Sequence, residues 1–176
     1  QQRYGPTLFG QQTLVARRLI EAGTPFVKVS RAWWDSHGQN FETHLELVSE
    51  LDHVMSGLID DLQDRGLLEK TLILTLSEFG RTPTAENAKE ADGRAHHPRG
   101  YTMWLAGGGI KGGTNHGSTD DYSVNVASDG VSVHDLHATI LHLLGIDHER
   151  FSYRFQGLDF RLTGVEKARV VNELLA

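Results

Sequence analysis

The sequence predicts an α/β fold in which a mostly parallel sheet has helices on both of its faces. Two observations predict this fold class. Short β-prone segments alternate with segments whose apolar residues recur every three or four positions, which is typical of strands joined by helical crossovers. In addition, the segment 71–76 is β-prone along almost its whole length, as expected of a central strand buried on both faces of a parallel sheet.

The helices are predicted from the spacing of apolar residues and from the glycines that follow them. In the segment 12–21 the apolar residues share one helical face, and Gly23 follows as a stop. The longest helix is predicted over 43–65, where apolar residues recur at intervals of three and four. Two further helices are predicted over 133–144 and over 165–175.

The strands are predicted where β-prone residues lie between these helices. They occupy 25–30, 71–76 and 101–106, and a further extended stretch is predicted over 155–162. The polar segment 84–100 and the segment 107–130, which is rich in Gly, Asn, Asp and Ser, are predicted to be loops. Because sites in open α/β sheets form at the carboxyl ends of strands, the polar residues beside the strand ends are candidate site residues.

The composition restricts the classes of function. The chain of 176 residues has the length of about one domain. Its net charge of −6 argues against a nucleic-acid binder with a basic face, and it has no apolar run long enough for a membrane span. The absence of cysteine excludes disulfides, thiolate metal sites and a cysteine nucleophile. Ten histidines is a high number for this length, so the histidines are the first candidates for function.

Three of the predicted loops bring carboxylate and imidazole groups to the strand ends. Asp35 and His37 follow the first strand, Glu78 follows the second, and His96 and His97 precede the third. These oxygen and nitrogen ligands suit zinc, manganese or iron, whereas calcium and magnesium prefer oxygen ligands throughout. The sequence therefore predicts a divalent metal site, with zinc or manganese favoured over calcium.

Each of these residues also has a structural explanation. Asp35 alone is explained by an Asx turn in its loop, and Glu78 is explained by an ion pair with Arg81. Adjacent residues point in different directions, so one of His96 and His97 is expected to be only a neighbour of the site. The convergence of all these groups on one predicted sheet edge favours the metal site over the separate explanations.

Two arginines near the predicted metal loops indicate an anionic substrate. Arg81 follows the second strand, and Arg99 lies just before the third. A guanidinium group binds a tetrahedral oxyanion through two parallel hydrogen bonds. Their position beside the metal loops therefore points to a phosphate or sulfate group on the substrate.

Four motifs resemble those of the DUF1501 family, and the resemblance covers essentially the whole chain. The motifs are Trp-Asp-x-His-Gly-x-Asn-Phe at 34–41, Ser-Glu-Phe-Gly-Arg-Thr-Pro at 77–83, His-His-Pro-Arg-Gly at 96–100 and Tyr-Arg-Phe-Gln-Gly at 153–157. The order of the pieces also resembles the C-terminal half of the alkaline phosphatase/sulfatase superfamily. The resemblance implies that 1–176 is the C-terminal part of one such domain, whose missing N-terminal half carries the nucleophile and is the partner of this segment.

The resemblance to the superfamily also implies roles for the candidate residues. Asp35 and His37 match the pair that binds the first metal, and the second histidine of the later pair, His97, is preferred as the residue that completes that site. Glu78 matches an aspartate that binds the second metal. Phe79 stands where the superfamily has a histidine ligand, so the second metal site is expected to be weakened or differently built.

Three functional hypotheses follow from the sequence. The first is a metal-dependent hydrolase of small-molecule phosphate or sulfate esters, to which this segment supplies metal ligands. The second is a relative without turnover that binds metal or acts as a scaffold, which Phe79 favours. The third is an α/β domain whose histidines have no functional role.

Overall fold

The computed structural model describes residues 2–86 and 92–176. The α-helices in these residues are α1 (Leu8–Glu21), α2 (Asn40–Asp64) and α3 (Val133–Leu143), and 3-10 turns lie at Gln2–Tyr4, Leu68–Lys70 and Asn172–Leu174. The strands are β1 (Ile73–Thr75), β2 (Gly80–Arg81), β3 (His96–His97), β4 (Trp104–Ala106), β5 (Ser118–Thr119), β6 (Val126–Ser128), β7 (Ser152–Phe155) and β8 (Leu158–Arg161). None of the helices in the described ranges has both the length and the apolar character needed to cross a membrane.

The predicted α/β fold with a mostly parallel sheet and helices on both faces is wrong, as is the alkaline phosphatase-like architecture that the resemblance implied. Within the described residues the strands form antiparallel pairs, β1 with β4, β2 with β3, β5 with β6, and β7 with β8. A parallel pair needs a crossover, usually a helix, between its strands. The described part of the connection from β1 to β4 contains no helix, and the chain returns with Ile73 opposite Ala106.

The predicted helices over 12–21, 43–65 and 133–144 are confirmed as α1, α2 and α3. Side-chain caps place two of the helix starts. The hydroxyl of Thr7 accepts a hydrogen bond from the backbone N–H of Gly10, so α1 begins at Leu8, earlier than the predicted start at residue 12. Ser132 and Asp135 form a reciprocal capping box at the start of α3.

The predicted helix over 165–175 is wrong, and only a 3-10 turn forms at Asn172–Leu174. The backbone N–H of Arg169 donates to the carboxylate of Asp135, and that of Val171 donates to the hydroxyl of Thr139. Side chains of α3 thus accept hydrogen bonds from N–H groups that, in a helix, would donate to carbonyl groups of the same helix. The side chain of Val171 is in addition fully buried. Tertiary hydrogen bonds therefore replace the helical ones.

The remaining predictions concern extended segments and loops. The segment 25–30 belongs to no sheet in the part of the chain that the structure describes. The stretch predicted over 155–162 is divided by a tight turn into the β7–β8 hairpin, and the predicted loop 107–130 contains β5 and β6. The predicted loop 84–100 contains β3, and its residues 87–91 lie outside the described residues.

A buried hydrophobic cluster lies between α1 and α2. Tyr4, Phe9, Leu14 and Val54 form its centre. Close approach of the chain start to α1 requires glycine at position 10, because a Cβ atom at Gly10 would lie 1.9 Å from the carbonyl oxygen of Tyr4. This packing holds the N-terminal end of the chain against both long helices.

A buried charged cluster also joins α1 to α2. Asp61 of α2 accepts hydrogen bonds from Tyr4 Oη at 2.8 Å and from Arg65 Nε at 2.9 Å. Arg17 Nε of α1 lies 2.8 Å from Asp61 Oδ2, and both side chains are almost fully buried. The carboxylate thus accepts hydrogen bonds from the 3-10 turn and from the end of α2, and it pairs with a positive charge from α1.

Candidate metal centre

The candidate site lies between the loop that precedes α2 and the β2–β3 hairpin. In this hairpin Arg81 pairs with His96, and Gly80 pairs with His97. Cross-strand partners share one face of a ladder and neighbouring residues point to opposite faces, so Arg81 and His96 lie on the same face. The backbone also packs closely at this point, because a Cβ atom at Gly80 would lie only 2.6 Å from the carbonyl oxygen of Gly100. The register therefore directs one of the two neighbouring histidines towards Asp35.

One carboxylate oxygen of Asp35 is the centre of the cluster. Asp35 Oδ1 lies 2.7 Å from His96 Nε2 and 2.6 Å from Arg81 Nη2. The same oxygen lies 3.1 Å from His37 Nε2. Hydrogen bonds from His96 and Arg81 lower the pKa of Asp35 to about 2 even though the side chain is exposed. The carboxyl group of Asp35 is therefore ionised throughout the physiological pH range.

His37 is held through its second ring nitrogen by a carboxylate. The distance from His37 Nδ1 to Glu86 Oε2 is 2.8 Å. An ionised carboxylate only accepts hydrogen bonds, so Nδ1–H is the donor. In the neutral ring the lone pair is then on Nε2, the atom that faces Asp35. Metal-binding histidines typically donate their other N–H to a carboxylate in the same way.

Ring and backbone contacts hold His96 and Arg81 in place. The imidazole of His96 stacks on the ring of Phe79, with the two centroids 4.1 Å apart. Arg81 donates through Nη1 to the carbonyl of Arg94 at 3.0 Å and through Nη2 to the carbonyl of Trp34 at 3.2 Å. Arg81 therefore ties the loop that carries Asp35 to the β2–β3 hairpin.

The other residues predicted for the site lie outside this cluster. His97 Nε2 is 2.7 Å from the carbonyl oxygen of Val124, between β5 and β6, so His97 holds that loop instead of Asp35. Glu78 and Arg99 are exposed. In the described ranges, the group of side chains that could hold a metal ion does not include Glu78.

Glu86 and the packing role of Phe79 were not predicted from the sequence. Glu86 lies in a polar loop whose residue spacing does not distinguish it from neighbouring polar residues. Its only signal is that it is a carboxylate between two segments that carry predicted ligands. Phe79 was identified as a departure from a ligand pattern, whereas in the structure it supports the ring of His96.

The donor atoms of Asp35, His37 and His96 fit a transition-metal ion. They all lie within 4.8 Å of one another, and one carboxylate oxygen with two imidazole nitrogens suits zinc, manganese or iron. Metal–ligand bonds of roughly 2.1 Å around a tetrahedral ion place ligand atoms about 3.4 Å apart. The separations of 2.7 and 3.1 Å from Asp35 Oδ1 are shorter, so binding of an ion requires the side chains to move apart and His96 Nε2 to lose the proton that it donates to Asp35. Three protein ligands also leave a coordination position for water or substrate.

Comparison with known protein families places the whole chain in one of them. The profile of the family described as "Protein of unknown function (DUF1501)" matches residues 1–175. No curated protein and no solved structure matches the chain.

Proposed function

The chain belongs to the DUF1501 family, and we propose that it supplies the metal ligands of a hydrolase that acts on small-molecule phosphate or sulfate esters. The proposal depends on one observation, the meeting of Asp35, His37 and His96 from a loop and a strand distant in the sequence. The motifs that resemble the alkaline phosphatase/sulfatase superfamily support the same reaction class. Zinc or manganese is the ion that this donor set favours.

Each side chain of the cluster has a separate task in this proposal. A divalent ion bound here supplies Lewis acidity, which polarises an ester oxygen and lowers the pKa of a bound water or nucleophile. Asp35 is the anionic ligand, and the hydrogen bond from Arg81 helps to keep it ionised when His96 coordinates the ion instead of donating to Asp35. Glu86 holds the imidazole of His37 in the tautomer that leaves Nε2 without a proton.

The two arginines have different positions relative to the proposed substrate. Arg81 is already engaged by Asp35 and by two backbone carbonyl groups, so its main task is to position the Asp35 loop. Arg99 is exposed and follows β3 by two residues. We therefore assign Arg99 to the anionic phosphate or sulfate group, which a guanidinium binds through parallel hydrogen bonds.

A second candidate function is metal binding without turnover. Phe79 favours it, because by resemblance this residue occupies a ligand position of a second metal and here it packs on His96. Glu78, the neighbouring candidate ligand for that metal, is exposed. A chain with a single bound ion and no turnover is what this candidate predicts.

The first test is metal binding by the purified chain. After removal of metal with a chelator, titration calorimetry with Zn²⁺ or Mn²⁺ should show one ion bound per chain. Replacing Asp35 by Asn, or His37 or His96 by Ala, should weaken binding by roughly 100-fold or more, because even residues that only orient a ligand contribute about 10–100-fold. His97→Ala is the matched control and should leave the affinity unchanged.

The result of this titration separates the alternatives. Absence of stoichiometric binding, or equal affinity in all the variants, would eliminate the site. Loss of binding in His97→Ala but not in His96→Ala would show that the ligand set is wrong. Because the resemblance assigns the nucleophile to an N-terminal half, turnover is measured on a protein that contains that half together with this chain. Hydrolysis of generic aryl phosphates or sulfates by that protein supports the hydrolase, and metal binding without hydrolysis by that protein supports the second candidate.

A further inference from the structure

The hairpin formed by β7 and β8 has an apolar face that remains exposed in the described part of the chain. Its register pairs Tyr153 with Phe160 and Phe155 with Leu158. Cross-strand partners point to the same face, as do residues two positions apart on one strand, so the four side chains share one face. Their exposed fractions range from 51% for Phe160 to 71% for Tyr153.

The opposite face of the same hairpin is polar. Ser152 pairs with Arg161, and Arg154 pairs with Asp159. Every residue of both strands is exposed, so neither face is covered by the described residues. The hairpin is therefore amphipathic, and the charged residues of its strands all lie on the polar face.

The hairpin has the turn and ring contacts of a well-formed two-stranded sheet. Gln156 and Gly157 both have positive φ, 50° and 82°, which is the pattern of a type I′ turn, whose twist matches that of the strands. The rings of Phe155 and Phe160 contact each other across the strands, with centroids 6.4 Å apart. A two-stranded hairpin is only marginally stable alone in water, so covering its apolar face would stabilise it.

We propose that this face binds the same face of a second copy of the chain, with the two hairpins packed face to face about a two-fold axis. Phe151 and Leu162 flank the strands and are exposed by 52% and 59%. Together with the four face residues they present roughly 700 Å² of apolar surface, since a large side chain has about 200 Å². Two copies would bury roughly 1,400 Å², within the range of about 1,200–2,000 Å² found for specific interfaces.

The shape and charge of the face favour a second copy as the occupant. A two-fold axis brings the same apolar patch of both copies together, as in an isologous interface, so each copy supplies an apolar surface of equal size for the other to cover. Two sheets packed face to face lie about 10 Å apart, a distance that these side chains fill. The charged residues Arg154, Asp159 and Arg161 lie on the other face, so the contact buries no charge.

The oligomeric state of the chain tests this proposal. Sedimentation equilibrium should give a mass twice the 19.5 kDa of one chain. Phe160→Lys should lower the association constant roughly tenfold or more, because it places a charge at the centre of the contact. Arg154→Ala, on the polar face, should leave the association constant unchanged. A monomeric mass for the unmodified chain at all concentrations overturns the proposal.

A cross-linking experiment keeps the test valid if Phe160→Lys disturbs the hairpin. The chain has no cysteine, so a single introduced thiol reports on its own surroundings. A chain with Tyr153→Cys should form a disulfide-linked dimer rapidly under mild oxidation, and a chain with Ser152→Cys should do so slowly, because position 152 lies on the opposite face. Equal rates for both, or faster linkage at 152, would show that the two hairpins do not meet through the apolar face.

Discussion

Three side chains share one carboxylate oxygen at the centre of the candidate site. His96 and Arg81 donate to Asp35 Oδ1, and His37 Nε2 lies against the same atom. Asp35 is exposed, so water weakens each contact, and contacts of this kind between exposed charged groups contribute little to stability. Their geometry is maintained by the backbone hydrogen bonds of Arg81 and by the stacking of Phe79 on His96.

Glu86 is the residue that tests how far the centre depends on support for its ligands. Glu86→Ala removes the acceptor of the His37 Nδ1–H bond, so the imidazole is free to rotate and to change tautomer. We expect the affinity for Zn²⁺ to fall by about 10–100-fold. The measurement is a competition titration with a chromophoric chelator. Glu46→Ala, an exposed carboxylate on α2, should have no effect, and equal losses in the two variants would indicate a general charge effect.

Much of the centre was accessible from the sequence, but the choice between neighbouring histidines was not. Asp35 and His37 are identified by residue type and by their spacing within one loop. His96 and His97 are equivalent in type, and the one that reaches Asp35 is decided by the strand register that sets Arg81 opposite His96. A shift of the register by one residue would place His97 on the face that His96 now occupies. The types of these residues do not indicate which register forms.

At the scale of secondary-structure elements, local signals predicted the helices but not the direction of the strands. The helices carry their own evidence in apolar spacing and in caps such as the Ser132–Asp135 capping box. A strand direction depends on the path of the connection, and β1 and β4 are antiparallel because the chain turns back between them. The C-terminal segment shows the same limit, since Asp135 and Thr139 bind its N–H groups from a distant helix.

The glycines after β4 test the close packing of this strand end. Gly108 has a φ of 51°, and a Cβ atom there would lie 2.6 Å from the backbone nitrogen of Leu72. We expect Gly108→Ala to lower the free energy of unfolding by about 1–3 kcal/mol, from backbone strain and from displacement of the segment before β1. Gly112→Ala is the control, because a Cβ atom there meets nothing within 4 Å. Urea unfolding of both variants measures the difference, and equal stability would contradict the close contact.

At the scale of the whole molecule, the buried Asp61 cluster makes folding sensitive to pH on both sides of neutrality. Burial acts to raise the pKa of Asp61, but hydrogen bonds from Arg65 and Tyr4 and the charge of Arg17 lower it below 3.8. Burial and the hydrogen bond to Asp61 raise the pKa of Tyr4 from 10.0 to about 12. The folded state thus favours an ionised Asp61 together with a neutral Tyr4.

The sign of each pKa shift sets the predicted pH profile. Asp61 contributes to the free energy of unfolding at pH values above 3.8, its pKa in the unfolded chain. This contribution is lost as the pH falls through the lower pKa that Asp61 has in the folded chain. The contribution of Tyr4 is present below 10.0 and is lost as the pH rises towards about 12. Urea unfolding free energies should therefore form a plateau between roughly pH 5 and 9 and fall on either side.

Tyr4→Phe provides the control for this profile. It should cost about 1–3 kcal/mol at neutral pH, because Asp61 loses one of its buried hydrogen bonds. It should also reduce the decline in stability between pH 10 and 12, because the group that ionises there is gone. An alkaline decline of the same size in Tyr4→Phe and in the unmodified chain would show that other groups cause it.

The distance in sequence between Asp35 and His96 has a consequence for how the chain is held together. These residues are 61 positions apart, and their side chains meet at 2.7 Å. The chain has no cysteine, so it cannot close a long loop with a disulfide. An ion held by Asp35, His37 and His96 would act as the missing cross-link, because it binds only when the two segments have met and so stabilises the folded chain by mass action.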